Sequence, residues 1–108
     1  MKSVNLQRTE SLLMEIIPEA LATLNDNRIS GLSVTEVNCK NGKYDALVYY
    51  DGTDFTKQEH KVLNNLLNKA SGQIKTYCLS ATGWYKCPDF NFRADDNLEK
   101  SLHLQLIV

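Results

Sequence analysis

Residues 56–83 read TKQEHKVLNNLLNKASGQIKTYCLSATG, and their pattern is that of one long amphipathic helix. Thr56 and Glu59 have the T-x-x-E spacing of a capping box, which predicts that the helix begins here. The apolar residues fall within about 120° of arc at 100° per residue. They are Leu63, Leu66, Leu67, Ala70, Ile74, Tyr77, Cys78 and Ala81. We expect the helix to end at Thr82-Gly83.

The opposite side of this helix is basic and polar. It carries Lys57, Lys61, Lys69 and Lys75, with Asn65, Asn68 and Gly72 among them. Glycine inside a helix costs about 1 kcal/mol relative to alanine, so Gly72 weakens the helix just after Ala70-Ser71. Two interpretations stay open: a tolerated surface glycine, or a kink that exposes backbone amides.

A helix and a hairpin are predicted before this stretch. The first helix should end near Asn25-Asp26-Asn27, with a kink or restart at Pro18 because proline lacks a backbone donor. A strand over residues 32–39 follows, whose apolar phase changes near Thr35-Glu36 and so predicts a bulge. Asn41-Gly42 is a strong hairpin signal, and residues 44–50 alternate as the antiparallel partner strand.

A third strand is predicted after the long helix, over residues 89–94, with Phe90 and Phe92 facing inward. The pattern of the tail, residues 98–108, fits either a helix or a strand. The order is therefore helix, strand, strand, long interrupted helix, strand and tail. This order predicts an α+β fold in which residues 1–108 form a single two-layer domain, with a three-stranded sheet covered on one face by helices.

The composition excludes several classes of protein. The 108 residues are 43% hydrophobic and 23% charged, which suits one folded domain rather than a disordered chain. No apolar run approaches the roughly 20 residues of a transmembrane helix. Met1-Lys2-Ser3 does not begin a signal peptide, so we expect a cytoplasmic protein.

The net charge of −1 hides an uneven distribution. Residues 1–54 have a net charge of −3, residues 55–93 of +4, and residues 94–108 of −2. A locally basic segment can attract phosphate on a protein that is neutral overall, although such a run is also typical of an ordinary solvated face.

Catalytic and metal chemistry find little support. Cys39, Cys78 and Cys87 are widely spaced, and no CxxC pair occurs. Neither His60 nor His103 has a recognisable motif beside these cysteines, so the pattern favours neither a zinc site nor a thiol nucleophile. No nucleotide-binding glycine motif is present. We therefore expect no enzyme activity, metal or cofactor.

Six short motifs follow one another in order. They are Asp26-Asn27-Arg28-Ile29, Leu32-Ser33-Val34-Thr35-Glu36-Val37, Asp45-Ala46-Leu47-Val48-Tyr49, Lys69-Ala70-Ser71-Gly72-Gln73-Ile74, Pro88-Asp89-Phe90-Asn91-Phe92 and Asp95-Asp96-Asn97-Leu98-Glu99. Together they resemble the ribosome-binding factor A family, with Asn27 where the family usually has proline. The resemblance implies a type II KH-like fold with the order α-β-β-α-(kink)-α-β. It also implies that Ala70-Ser71-Gly72 is the Ala-x-Gly helix–kink–helix, which replaces the GxxG loop of other KH domains.

The resemblance further implies a monomeric, non-catalytic assembly factor. Such a factor binds free 30S ribosomal subunits and their 16S rRNA during late maturation and rRNA processing, including cold-shock adaptation, with no small-molecule substrate. In KH modules RNA lies across the helix junction and the neighbouring sheet edge. The expected RNA-binding residues are Lys57, Lys61, Lys69, Ala70, Ser71, Gly72, Lys75, Lys86 and Arg93. Changing Lys69 and Lys75 to Glu is expected to release the protein from the subunit.

Two points stay open on the residues alone. Arg28 fits either an RNA contact or a structural partner of Asp26. The basic side of the long helix fits either RNA or a protein partner, as in a KH-like interaction module without RNA binding. A steep salt dependence of binding would favour RNA, because phosphate contacts release counterions.

Overall fold

The computed structural model describes residues 4–39 and 44–95. In chain order its elements are α1 (Val4–Ala22), α2 (Asn27–Ser30), β1 (Val34–Asn38), β2 (Asp45–Asp51), α3 (Lys57–Thr82) and β3 (Asp89–Asp95). The strands form one sheet in the order β1-β2-β3. β1 and β2 are antiparallel, and β2 and β3 are parallel because α3 crosses over between them. The predicted α+β architecture with a three-stranded sheet is confirmed.

The helices cover one face of this sheet. Along β3, Phe90 and Phe92 are buried while Asn91 and Arg93 are exposed, as expected for side chains that alternate between a packed and an open face. Ala46, Val48 and Tyr50 of β2 are buried with them. The helical side of the core is formed by Leu13, Ile16, Ile17, Ala20 and Leu21 of α1 and by Leu63, Leu67, Ile74 and Cys78 of α3.

The bulge predicted in β1 is present. Val34 pairs with Tyr50 and Glu36 pairs with Tyr49, so Thr35 is the extra residue between them. Its hydroxyl donates to Asp95 Oδ2 at 2.7 Å, which ties the bulge to the end of β3. The predicted turn at Asn41-Gly42 and the tail over residues 98–108 lie outside the described residues.

The predicted start and end of α3 are confirmed. Thr56 Oγ1 accepts a hydrogen bond from the Glu59 amide at 3.2 Å, and Glu59 Oε1 accepts one from the Thr56 amide at 2.9 Å. Gly83 follows the helix with φ of 73°, a left-handed conformation that favours glycine. The predicted inward face differs at one position, since Ala81 is exposed near the helix end.

Both helices continue as single elements through their helix-weakening residues. α3 is one helix of 26 residues that continues through Gly72, so the expected division into two helices is corrected to a single element. α1 likewise continues through Pro18 and ends four residues later at Ala22. In both places the neighbouring turns are anchored by buried residues, Ile17 in α1 and Ile74 in α3, and this packing outweighs the local cost.

Candidate nucleic-acid interface

Three of the predicted lysines lie on the solvent side of α3. Lys57, Lys61 and Lys69 are exposed, and we call this surface the α3 lysine face. At 1.5 Å of rise per residue, Lys61 lies about 6 Å along the axis from Lys57 and about 12 Å from Lys69. Asn65 and Asn68, also exposed, stand between them and can donate hydrogen bonds from their amides.

No carboxylate offsets these cations along most of the helix. Glu59 is the only acidic residue of α3, and its carboxylate accepts the hydrogen bond from the Thr56 amide at the helix start. From residue 60 to residue 82 the helix carries only neutral and basic side chains. The α3 lysine face is therefore a one-sign surface, which attracts phosphate.

Lys75 is held differently from the other three lysines. Its ammonium group forms an ion pair with the carboxylate of Asp89, the first residue of β3. The hydrogen bond from Lys75 is the largest cause that lowers the pKa of Asp89 below its ordinary value, so this carboxyl group is ionised at neutral pH. The side chain of Lys75 is 32% exposed, and its charge is already neutralised.

The three residues predicted as a kink are part of regular helix. Ala70 is half-buried and packs against the core. The Ser71 hydroxyl donates to the Asn68 carbonyl at 2.7 Å, and the Gly72 carbonyl accepts from the Thr76 hydroxyl at 2.9 Å. Both bonds occupy backbone carbonyls, those of Asn68 and Gly72, and each spans about one turn of the helix.

Gly72 does, however, form part of a groove. The groove, about 530 Å³ in volume, lies between α3 and the connection from α1 to α2; its lining is Thr23, Leu24, Asn25, Gly72, Gln73 and Thr76. A Cβ at residue 72 would meet nothing within 4 Å. Among residues 4–39 and 44–95, therefore, no close contact requires a glycine at this position.

Lys86 and Arg93 lie away from the α3 lysine face. Arg93 is exposed on the sheet face opposite the helices, because it alternates with the buried Phe92. Lys86 lies in the loop between α3 and β3, and its Nζ is 4.5 Å from the centroid of the Tyr44 ring. The structure thus distributes the predicted basic residues over three separate surfaces.

Arg28 has a structural partner. Its Nη2 lies 2.8 Å from Asp26 Oδ2 and its Nε donates to Asp26 Oδ1 at 3.0 Å. Asp26 also caps α2 by accepting from the Arg28 amide. The hydrogen bond from the Arg28 side chain is the main cause that lowers the pKa of Asp26. Arg28 thus has the structural partner that the sequence suggested, and its side chain is still 63% exposed.

Aromatic residues missed by the sequence analysis stand beside Lys86. A pocket of about 340 Å³ is lined by Thr9, Tyr44, Trp84, Tyr85, Lys86 and Pro88. Tyr85 is fully exposed and Trp84 is half-buried. The signal that could have drawn attention to them is two large aromatic residues in a short loop, directly before a lysine.

The three cysteines are free thiols in the core. Cys39, Cys78 and Cys87 are all buried. The hydrogen bond between Cys78 and Cys87 raises the pKa of the Cys78 thiol and lowers that of Cys87. Over residues 4–39 and 44–95, no group of His, Cys, Asp and Glu side chains is arranged to hold a metal ion. Within the same ranges no helix has the length and apolar character needed to cross a bilayer.

Comparison with known proteins gives consistent results. The family model for ribosome-binding factor A matches residues 5–108. The ribosome-binding factor A of Wolinella succinogenes is 53% identical over 106 residues, which cover 98% of this chain and 89% of that protein. The ribosome-binding factor A of Helicobacter pylori strain J99 is 48% identical over 101 residues, which cover 94% of this chain and 86% of that protein.

Two solved structures share the fold. The crystal structure of ribosome-binding factor A from Thermus thermophilus has a TM-score of 0.70 at 18% identity, covering 82% of this chain and 93% of that one. A ribosome binding factor A candidate from Thermotoga maritima, solved by NMR, has a TM-score of 0.74 at 26% identity. The match covers 92% of this chain and 94% of that one. The fold is thus that of a small KH-like α+β domain. The chain belongs to the ribosome-binding factor A family.

Proposed function

We propose that this protein is a ribosome assembly factor that binds the free 30S subunit through its 16S rRNA during late maturation and rRNA processing. Residues 1–108 act as one domain, as a monomer in the cytoplasm, without catalysis and without a cofactor. Cold-shock adaptation is part of the same proposed role. Family membership supports association with the ribosome, and the surface of α3 supports RNA as the ligand.

The α3 lysine face is the observation that carries the proposal. Lys57, Lys61 and Lys69 are exposed on one helix whose single carboxylate, that of Glu59, lies in its first turn. Compact ammonium groups on flexible stems suit the irregular phosphate positions of folded RNA. Ser71 and Gly72, in the next turn, allow the RNA backbone to approach closely because neither has a bulky side chain.

Lys75 contributes less to RNA binding than its position on the helix suggests. Because Asp89 neutralises it, RNA has to compete with an existing ion pair for this cation. A change of Lys75 to Glu would also set two carboxylates against each other and disturb the contact between α3 and β3. The test therefore uses Lys57, Lys61 and Lys69, which have no such role.

The experiment measures binding to purified 30S subunits and to a 16S rRNA fragment over a range of salt concentrations. Each Lys→Gln change that removes a phosphate contact should lower the slope of log affinity against log salt by about 0.7 to 0.9. The triple variant should therefore lose about two to three units of slope, with an unchanged unfolding temperature. Arg8→Gln is the matched control, since Arg8 is exposed on α1 and belongs to no proposed contact.

A KH-like protein-interaction module is the alternative. The observation in its favour is Val62, which is 49% exposed on α3 beside Lys61 and gives this surface an apolar point of contact. The same titration separates the two functions. An unchanged salt slope in the triple variant, with binding lost in Val62→Ser, would replace RNA by a protein partner.

A further inference from the structure

The loop from α3 to β3 presents an aromatic ring without cover. Tyr85 is 104% exposed, so its ring is as open to water as in an extended chain. The next residues along the chain are anchored, because Cys87 and Pro88 are buried, and Trp84 before it packs against the core. A short loop with fixed ends therefore holds a tyrosine ring outward.

The surroundings of Tyr85 form a small concave site. Tyr44, directly before β2, and Lys86 face each other across it in a cation–π contact of 4.5 Å. This contact directs the ammonium group of Lys86 toward the pocket. The carboxylate of Asp89 lies close by, where it forms an ion pair with Lys75 and also interacts electrostatically with Lys86.

These features fit a nucleobase better than an apolar side chain. A base has a flat π face that stacks on an exposed aromatic ring, and it is joined to a phosphate that a neighbouring cation can contact. The pocket of about 340 Å³ has aromatic walls and one cation, with the exposed ring at its edge.

We propose that the pocket formed by Tyr44, Trp84, Tyr85 and Lys86 binds one unpaired base of single-stranded RNA. The base stacks on Tyr85, and Lys86 contacts an adjacent phosphate. This inference rests on the proposed RNA-binding function and adds a second contact, which lies at the opposite end of α3 from Lys57 and Lys61. The α3 lysine face attracts the backbone phosphates of RNA of any sequence, whereas the pocket selects RNA with an unpaired base.

Stacking, rather than charge, supplies the energy of this contact. The carboxylate of Asp89 offsets part of the charge of Lys86. Replacing a stacking aromatic residue by alanine costs about 1 to 3 kcal/mol per base, which corresponds to a loss of about 5-fold to 150-fold in affinity. Tyr85→Ala should therefore weaken binding to single-stranded RNA by that factor without changing the salt slope, and Tyr85→Phe should bind like the parent protein.

The chain offers a direct reporter of the pocket. Trp84 is its only tryptophan, so fluorescence excited at the indole band comes from this site. Titration with a 12-nucleotide single-stranded RNA should change the Trp84 emission with the same midpoint as fluorescence anisotropy of the labelled RNA. A 12-residue abasic ribose-phosphate chain is the control, since it offers phosphates without bases. It should bind weakly and leave the emission unchanged.

The outcomes separate this inference from the proposed function. If RNA binds with the lysine dependence described above but Tyr85→Ala has the parent affinity, the base pocket is overturned and the α3 lysine face stands. If neither the RNA fragment nor the 12-nucleotide RNA binds, both are overturned. If Tyr85→Ala weakens binding to 30S subunits but not to either RNA, the pocket takes a ribosomal protein instead, and the inference is wrong.

Discussion

The ammonium group of Lys75, in the C-terminal third of α3, donates a hydrogen bond to the carboxylate of Asp89 at the start of β3. The pair joins the crossover helix to the strand that follows it. It also lowers the pKa of Asp89 from its ordinary 3.8, so its contribution to stability is present above about pH 4 and is lost as the pH falls through the folded pKa. For RNA binding, the pair removes one cation from the basic side of α3.

Asp89→Asn should strengthen RNA binding. The amide cannot neutralise Lys75, so the lysine becomes available to a phosphate, and the slope of log affinity against log salt should steepen by about 0.7 to 0.9. Glu36→Gln, an exposed change of the same charge on β1, is the control for the general effect of removing an acid. Equal effects of the two variants would mean that Lys75 plays no part in binding.

Gly72→Ala should stabilise the protein. Gly72 lies inside α3, and a Cβ there meets nothing within 4 Å, so the substitution removes conformational freedom from the unfolded chain without a clash. We expect a gain of about 0.5 to 1 kcal/mol in the free energy of unfolding, measured by urea denaturation. A loss of stability would show that the helix is distorted at this residue. RNA affinity measured on the same variant tests whether the ligand backbone approaches Gly72 closely.

Gly52→Ala, in contrast, should destabilise the protein. Gly52 is buried, and a Cβ on it would lie 2.7 Å from both the Ala94 Cβ and His60 Nε2. His60 Nε2 is also hydrogen-bonded to the Gly52 carbonyl oxygen at 2.8 Å, so the imidazole ring cannot move away without breaking that hydrogen bond. Overpacking of this kind costs about 1 to 3 kcal/mol. Urea denaturation measures this loss of stability. If Gly52→Ala were as stable as the parent protein, the close packing around Gly52 would be contradicted.

The features that sequence predicted well are local ones. The capping box of Thr56 and Glu59 and the end at Gly83 depend on residues within four positions of each other, and the bulge at Thr35 follows from the change of apolar phase within one strand. The short helix α2 was missed, because four residues carry too little periodicity to be recognised. The expected division at Gly72 failed because an intrinsic cost of about 1 kcal/mol is small beside the packing on either side.

The candidate site was predicted only as a set of residues. Helical spacing placed Lys57, Lys61 and Lys69 on the solvent side of α3, and they are exposed there. The partner of Lys75 is 14 residues away on another element, and no periodic pattern reports a contact of that kind. The exposure of Tyr85 depends on how the α3–β3 loop is anchored, which is likewise a property of the assembled fold.

Tyr50→Phe should destabilise the protein at neutral pH but less so at alkaline pH. The buried Tyr50 hydroxyl donates to Asn64 Oδ1 at 2.7 Å, and its removal should cost about 1 kcal/mol. Burial raises the pKa of Tyr50 to about 12 from its ordinary 10.0. The folded-state pKa is therefore the higher one, so the associated stability is complete below pH 10 and is lost as the pH rises from 10 towards 12. Phenylalanine does not ionise and avoids this loss.

Urea denaturation at pH 8 and pH 11 tests this prediction. The difference in unfolding free energy between the parent and Tyr50→Phe should be smaller at the higher pH. A constant difference would mean that the Tyr50 hydroxyl ionises as readily in the folded protein as in the unfolded chain.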